Sequence, residues 1–245
     1  MQRDSEESDR RSAADFARRV ASIWDDYLGS RLLGAYLMGS LAHGGFGRYS
    51  DIDVAVVLVD SLTPANLAEM RQKAAAVSTD HAAKLSLFWT DRGFAVGRFP
   101  PLDRIDYLDH AVCLIEREAV RPERPSLAGI RTYLRGAPFE RWAARALEFS
   151  AAKELDPADR KPYLRALLYP ARFMYSWLTG DIASNDDAVA FLRNNRPRKL
   201  DLNIIGEALR CRNDGRDPDD LFAARHVLVP HVEACAELIA DAPTT

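Results

Sequence analysis

The segment that specifies the architecture is Leu37-Met38-Gly39-Ser40-Leu41-Ala42-His43-Gly44-Gly45-Phe46-Gly47-Arg48-Tyr49-Ser50-Asp51-Ile52-Asp53. It continues an apolar run over residues 32–38 and leads into a second apolar run over residues 54–59. Short apolar runs separated by glycines are typical of strands joined by tight turns. The segment therefore predicts a strand, a glycine-rich turn with a short helix, and a second strand.

Two aspartates and a glycine–serine pair give this segment a joint chemical use. Asp51 and Asp53 are two residues apart at the start of a predicted strand, so their side chains share one face. Two carboxylates are hard oxygen ligands that suit Mg²⁺ held against a triphosphate. Gly39 lets the backbone approach a ligand closely, and Ser40 offers a hydroxyl and backbone N–H groups to a phosphate. Ser50 is a hydrogen-bond partner for a phosphate or for the turn.

Gly39-Ser40, ten further residues and Asp51-x-Asp53 resemble the active-site motif of the polymerase-β-like nucleotidyltransferases. The resemblance implies an enzyme that transfers a nucleoside monophosphate from an NTP and releases pyrophosphate. It implies that Gly39 and Ser40 hold the triphosphate of ATP, the co-substrate, and that Asp51 and Asp53 bind two Mg²⁺ ions. The structural alternative is an ordinary strand–turn–strand unit with solvated aspartates.

The family places a third carboxylate on the next strand, which the sequence predicts over residues 84–90. The matching position is Ser86, and a serine is not an ionised general base at neutral pH. Loss of such a base costs about 10²–10⁴-fold in rate. Asp91 follows the strand, but five strand residues at about 3.3 Å each place it beyond the reach of Ser86. Other candidate acids lie in a later segment: Asp103, Asp106 and Asp109.

Composition and charge limit the class of protein. The chain has 245 residues, 47% of them hydrophobic, which allows one large domain or two modest ones. Its net charge of -3 disfavours a nonspecific nucleic-acid binder, whose surface is usually basic. No apolar run approaches the length of a membrane span, and residues 1–11 lack the hydrophobic core of a secretory signal. We therefore expect a cytoplasmic protein that binds neither nucleic acid nor a membrane, and we expect a monomer or weak dimer.

The pattern along the chain predicts an α+β fold. Residues 1–11 are charged and predict a flexible tail, and residues 12–122 predict an α/β nucleotidyltransferase domain with a small mixed sheet. Prolines between residues 121 and 125 mark a boundary. Residues 126–245 predict an all-α helical bundle, in which residues 159–179 carry a buried stripe at helical spacing.

A second resemblance concerns the helical part. Its matching pieces are Ala171-Arg172, Tyr175, Thr179-Gly180, Ile182-Ala183-Ser184 and Asp186. They are similar to the C-terminal domain of the aminoglycoside 3''/9-adenylyltransferases, the streptomycin and spectinomycin resistance enzymes. The resemblance implies that AMP passes to an antibiotic hydroxyl. It implies that Asp186 contacts the acceptor and that Arg196 and Arg210 bind nucleotide phosphates.

Several alternatives stay open at this stage. Met174 falls where that family has a tryptophan, so the acceptor side, with Asp186 and Ser86, is not expected to suit streptomycin itself. Asp186 also fits a favourable charge at a helix start, and Arg196 and Arg210 also fit solvated positions. Two other functions remain: transfer of AMP to a protein, as in toxin–antitoxin nucleotidyltransferases, and a degenerate relative that binds nucleotide without turnover.

Overall fold

The computed structural model describes residues 2–241, with side chains from residue 7 onward. The chain forms two compact units, the first ending at Arg124 and the second beginning at Pro125. The first contains a five-stranded sheet, and the second is helical. This is the α+β architecture that the sequence predicts. Across residues 2–241, no helix is both long enough and apolar enough to cross a bilayer.

The first unit places five helices around a mixed sheet. The strands are β1 (Leu32–Met38), β2 (Ile52–Leu58), β3 (Leu85–Asp91), β4 (Gly97–Arg98) and β5 (Val112–Glu116). The helices are α1 (Gln2–Leu28), α2 (Gly39–His43), α3 (Pro64–Val77), α4 (Thr79–Ala83) and α5 (Pro101–His110). The spatial order is β4-β3-β2-β1-β5, with β2 and β3 parallel and the other pairs antiparallel.

The two faces of the sheet carry different cores. On one face, α1 and α3 cover Ile52, Val54 and Val56, and Trp24 Nε1 of α1 donates a 2.9 Å hydrogen bond to the Met70 carbonyl of α3. On the other face lies an aromatic cluster: Tyr36, Phe88, Phe94, Phe99 and Tyr107. Because side chains alternate along a strand, Asp51 and Asp53 point to this second face.

The first helix begins earlier than the sequence indicated. We expected a flexible tail over residues 1–11, but the helix starts at Gln2. Met1 lies outside the described residues. Arg11 and Glu7 form an ion pair of 3.1 Å one turn apart, which supports the helix by about 0.2–0.5 kcal/mol. The charged side chains of residues 7–11 are thus exposed on the surface of a helix.

The second unit consists of helices that surround a central, largely buried one. The helices are α6 (Leu127–Arg135), α7 (Ala137–Ala151), α8 (Arg160–Thr179), α9 (Asn185–Asn195), α10 (Leu202–Asn213) and α11 (Leu228–Ala240). Helix α8 contacts all five others and buries, among others, Leu164, Phe173 and Trp177. It ends at Gly180, whose φ of 74° is a left-handed C-cap.

The sequence pattern over residues 218–239 predicts one helix, but the structure divides it. Residues Asp219–Val227 form a 3₁₀ segment, and α11 starts at Leu228. Pro230 lies in the first turn of α11, where its missing N–H is tolerated, whereas within one continuous helix its ring would clash with the carbonyl four residues earlier.

Candidate active site

Asp53 occupies the middle of a row of residues that crosses three strands. It is the antiparallel partner of Met38 on β1 and the parallel partner of Ser86 on β3. Asp51 stands immediately before β2, on the same face as Asp53 because the intervening Ile52 is buried in the opposite core. The structure therefore brings Asp51, Asp53 and Ser86 together at one end of the sheet.

Gly39 is fitted tightly against Asp53. It follows β1 directly and has a φ of 64°, in the left-handed region that side chains disfavour. A Cβ atom at this position would collide with Asp53 Oδ2. A glycine is thus required twice, for its backbone conformation and for the approach of the turn to the carboxylate.

Asp106 of α5 joins the glycine turn from a distant part of the chain. Its Oδ2 accepts a 2.8 Å hydrogen bond from the Gly39 N–H, and only 8% of the residue is exposed. Its Oδ1 lies 3.8 Å from His43 Nε2 of α2. The Gly39 N–H is therefore occupied by a carboxylate, and Ser40 remains as the motif residue available to a phosphate.

Ser50 serves the turn. It is 3% exposed, its hydroxyl accepts a 3.1 Å hydrogen bond from the Gly47 N–H, and its own N–H donates to the Gly47 carbonyl at 2.9 Å. Of the two roles that the sequence left open, these contacts show the turn. The expectation that Ser50 also binds nucleotide stays a prediction.

Two of the acids considered as substitutes for the missing carboxylate, Asp91 and Asp109, have structural partners. Asp91 lies at the far end of β3, where its Oδ1 accepts from the Ala95 and Val96 N–H groups. The hydrogen bond from Val96, reinforced by Ala95, holds the pKa of Asp91 below its ordinary value. Asp109 is paired with Arg124 at 2.8 Å. Asp91 is thus a turn cap, as its distance from Ser86 suggested.

In the helical unit, the two predicted phosphate ligands line one cavity. Arg196 ends α9 and Arg210 lies on α10, and the cavity of about 370 Å³ is also lined by Arg193, Leu202 and Asn203. Gly206 leaves room for the Arg193 guanidinium, whose Nη2 would be 2.8 Å from a Cβ there. A hydrogen bond that Arg210 donates to the Glu207 carboxylate raises the pKa of Arg210. Three arginines therefore give this cavity a strongly cationic lining that suits an anion.

The two acceptor residues proposed for the helical unit behave differently. Met174 is 5% exposed on the buried face of α8, and its expected contact with a substrate stays a prediction. It belongs to the same helical stripe as Phe173 and Trp177, which packing alone accounts for. Asp186, in the first turn of α9, is exposed and accepts a 3.0 Å hydrogen bond from Asn213 Nδ2. A helix-start carboxylate with a local partner matches the structural alternative for Asp186.

The pair Asp51 and Asp53 fits the metal that the sequence implies. A search of the described residues finds no group of three or more His, Cys, Asp or Glu side chains arranged for a metal ion. Mg²⁺ does not need such a cage, because it commonly binds through one or two carboxylates and completes its shell with substrate phosphates and water. Two carboxylates beside a tight glycine turn are a donor set of this kind.

A known family model matches the part of the chain that contains the two aspartates. Residues 17–84 match the family model for the nucleotidyltransferase domain, which covers β1, the glycine turn, β2 and both aspartates. A search of curated proteins finds no match.

Two solved structures are similar to this chain to very different degrees. One is a crystal structure of spectinomycin adenyltransferase AAD(9) from Enterococcus faecialis with ATP and spectinomycin, with a TM-score of 0.65 and 14% identity. The match covers 93% of this chain and 98% of that one, so the two share a fold over both units. The other is a toxin–antitoxin structure with AMP-PNP, at 24% identity over 41% of this chain and 74% of that one. Its TM-score of 0.32 is too low to support an argument.

Proposed function

We propose that this chain, which carries a nucleotidyltransferase domain, transfers AMP from Mg²⁺–ATP to a hydroxyl of a small polar acceptor of the aminoglycoside or spectinomycin type. The observation that carries the proposal is the approach of the Gly39 turn to the Asp53 carboxylate, beside Asp51. A phosphate-binding turn and a metal-binding carboxylate pair in contact are what transfer from a nucleotide requires. The fold shared with a spectinomycin adenyltransferase supports the acceptor class.

The reaction is an in-line displacement at the α-phosphorus. The acceptor oxygen forms the new P–O bond as the bond to pyrophosphate breaks, and the acceptor proton passes to water because Ser86 provides no ionised oxygen. Asp51 and Asp53 would hold Mg²⁺, which when bound withdraws charge from the phosphate oxygens. Ser40 binds the triphosphate, and the Ser86 side of Asp53 faces the acceptor. Catalysis then depends on positioning and charge more than on a base.

The arginine cavity has a proposed part in nucleotide binding. Arg196 and Arg210 are the residues that the sequence assigned to phosphates, and Arg193 and Asn203 extend the same cationic lining. Arginine side chains recognise phosphate through paired N–H donors. Arg196→Gln should raise KM for ATP by about 10-fold, since a hydrogen bond to a charged group contributes about 1.5–3 kcal/mol. Arg198→Gln is the matched control, because Arg198 is exposed, close in sequence and outside the cavity lining.

The test is pyrophosphate release from Mg²⁺–ATP in the presence of single aminoglycosides or spectinomycin, with mass spectrometry of each compound. An AMP-sized mass gain on one of them, abolished by Asp53→Asn, supports the proposal. Pyrophosphate release with AMP found on a protein instead would identify a protein acceptor. ATP binding without release would leave a nucleotide-binding relative that has lost turnover, the reading that Ser86 beside Asp53 favours.

A further inference from the structure

Asp106 is a buried carboxylate with one oxygen unaccounted for. Oδ2 accepts the Gly39 N–H, but Oδ1 is buried and has no hydrogen-bond partner among the residues that the structure describes. Buried polar atoms in native proteins are almost always paired, so such an oxygen calls for an explanation. Tyr107, the next residue, is in the aromatic cluster, which fixes this part of α5 against the sheet.

His43 is the side chain that faces this oxygen. Its Nε2 lies 3.8 Å from Asp106 Oδ1, within ion-pair range but longer than a hydrogen bond. A shift of the imidazole by about 1 Å would close the bond. The ring of His110 lies 5.2 Å from that of His43. His43 and Asp106 therefore lie beside the exposed C-terminal end of α5.

The order of the strands places His43 and Asp106 on one side of Asp53, the carboxylate at the centre of the proposed reaction. Gly39 and His43 follow β1, whereas Ser86 lies on β3, and Asp53 on β2 stands between these strands. An in-line displacement puts the acceptor and the leaving group on opposite sides of the α-phosphorus. This step rests on the proposed function, in which Ser86 marks the acceptor side of Asp53. The pyrophosphate then departs on the opposite side of Asp53, towards β1. Asp106 is therefore on the wrong side to replace the missing base.

The negative charge of Asp106 gives a reason for His43 to lie beside it. An anionic carboxylate bonded to the glycine turn would repel a phosphate bound at that turn. The imidazole of His43, beside this carboxylate, has an N–H that can donate to the phosphate and so offset the repulsion. We propose that His43 binds the β- and γ-phosphates of the nucleotide, the part that leaves as pyrophosphate, and that Asp106 is the positioning residue that holds both the Gly39 turn and the His43 ring.

The test compares the affinities of three ligands in the presence of Mg²⁺: ATP, pyrophosphate and AMP, measured by calorimetry. His43→Gln should weaken ATP and pyrophosphate by about 10-fold, the effect of one lost hydrogen bond to a charged group, and change AMP less than twofold. Equal losses for ATP and AMP, or no loss for ATP, would overturn the proposal. His226→Gln is the control, since His226 is exposed on the 3₁₀ segment Asp219–Val227.

A second variant tests the link between the two residues. Asp106→Asn keeps an oxygen for the Gly39 N–H but removes the charge that holds His43. We expect it to weaken ATP about as much as His43→Gln does, with little further loss in the double variant. Additive losses would show that the residues act separately and would refute the pairing. Thermal unfolding midpoints show which variants fold, and if Asp106→Asn does not, the selectivity of His43→Gln for ATP over AMP still decides the phosphate role.

These measurements do not depend on turnover. If the wild type binds ATP and pyrophosphate through His43 but modifies no acceptor, the proposed function fails while the phosphate site stands. If AMP transfer occurs and His43→Gln binds ATP as the wild type does, the proposed function stands and the phosphate site fails.

Discussion

At the scale of single residues, Ser86 decides how fast the proposed reaction runs. It is in register with Asp53, the position at which an ionised oxygen would reach an acceptor hydroxyl. We expect Ser86→Glu to raise kcat by about 10-fold or more, because a general base contributes about 10²–10⁴-fold. Pyrophosphate release at saturating ATP measures the effect. Glutamine has the length of glutamate without its charge. An equal rise in kcat from Ser86→Gln would show that a general base is not the cause of the gain.

Gly39 is the residue whose replacement should be least tolerated. Gly39→Ala adds a Cβ that collides with Asp53 Oδ2 and forces a side chain into a left-handed backbone conformation. We expect Mg²⁺-dependent turnover to fall by about 10²-fold or more, as misplacement of a reacting group by about 1 Å does. Gly47→Ala is the comparison, because Gly47 lies in the same loop with open space around it and no left-handed φ. Similar activities for the two variants would contradict this prediction.

At the scale of elements, a buried histidine connects α10 to α11. His231 of α11 is 0% exposed, and its Nε2 accepts a 3.0 Å hydrogen bond from the N–H of Asp201, the N-cap of α10. Burial lowers the pKa of His231 from 6.5 to about 4. The folded state therefore binds fewer protons than the unfolded state between these values. The contribution of neutral, buried His231 to the free energy of unfolding is fully present above pH 6.5 and is lost as the pH falls towards 4.

This linkage predicts a pH-dependent free energy of unfolding. A difference of about 2.5 pKa units corresponds to about 3 kcal/mol lost between pH 7 and pH 4. Gln has an oxygen that can accept the Asp201 N–H and does not titrate, so His231→Gln should reduce this pH dependence by most of that amount. Urea unfolding at several pH values measures it. A variant with the slope of the wild type would show that other groups carry the acid sensitivity.

At the scale of the whole molecule, the connection between the two units is an accessible segment of the chain. Residues 119–126 have no regular secondary structure, and Glu123 is exposed. The first unit ends at Arg124. Limited digestion with a glutamate-specific protease should therefore cut first after Glu123, since exposed irregular segments are the preferred sites of nicking. Fragment masses that place the first cut inside either unit would contradict this.

The sequence alone determined the features that depend on neighbouring residues. Strand β1 and the C-cap at Gly180 follow from local apolar runs and turn residues, and the spacing of Gly39, Asp51 and Asp53 predicts their shared chemistry. Patterns among neighbouring residues predicted the wrong helix ends where a helix is solvated or divided. The charges before Ser12 read as a tail, and Pro230 divided a segment that periodicity treats as continuous.

Only the tertiary structure decided which distant side chains meet. Asp106 is 67 residues from Gly39, and packing of α5 on the sheet brings its carboxylate to the Gly39 N–H. Burial likewise separated Met174, on the inner face of α8, from the exposed arginines that α9 and α10 bring to one cavity. Strand alternation and helical periodicity indicate the face on which a residue lies. They do not indicate which residue of another element faces it, because that depends on how the elements pack.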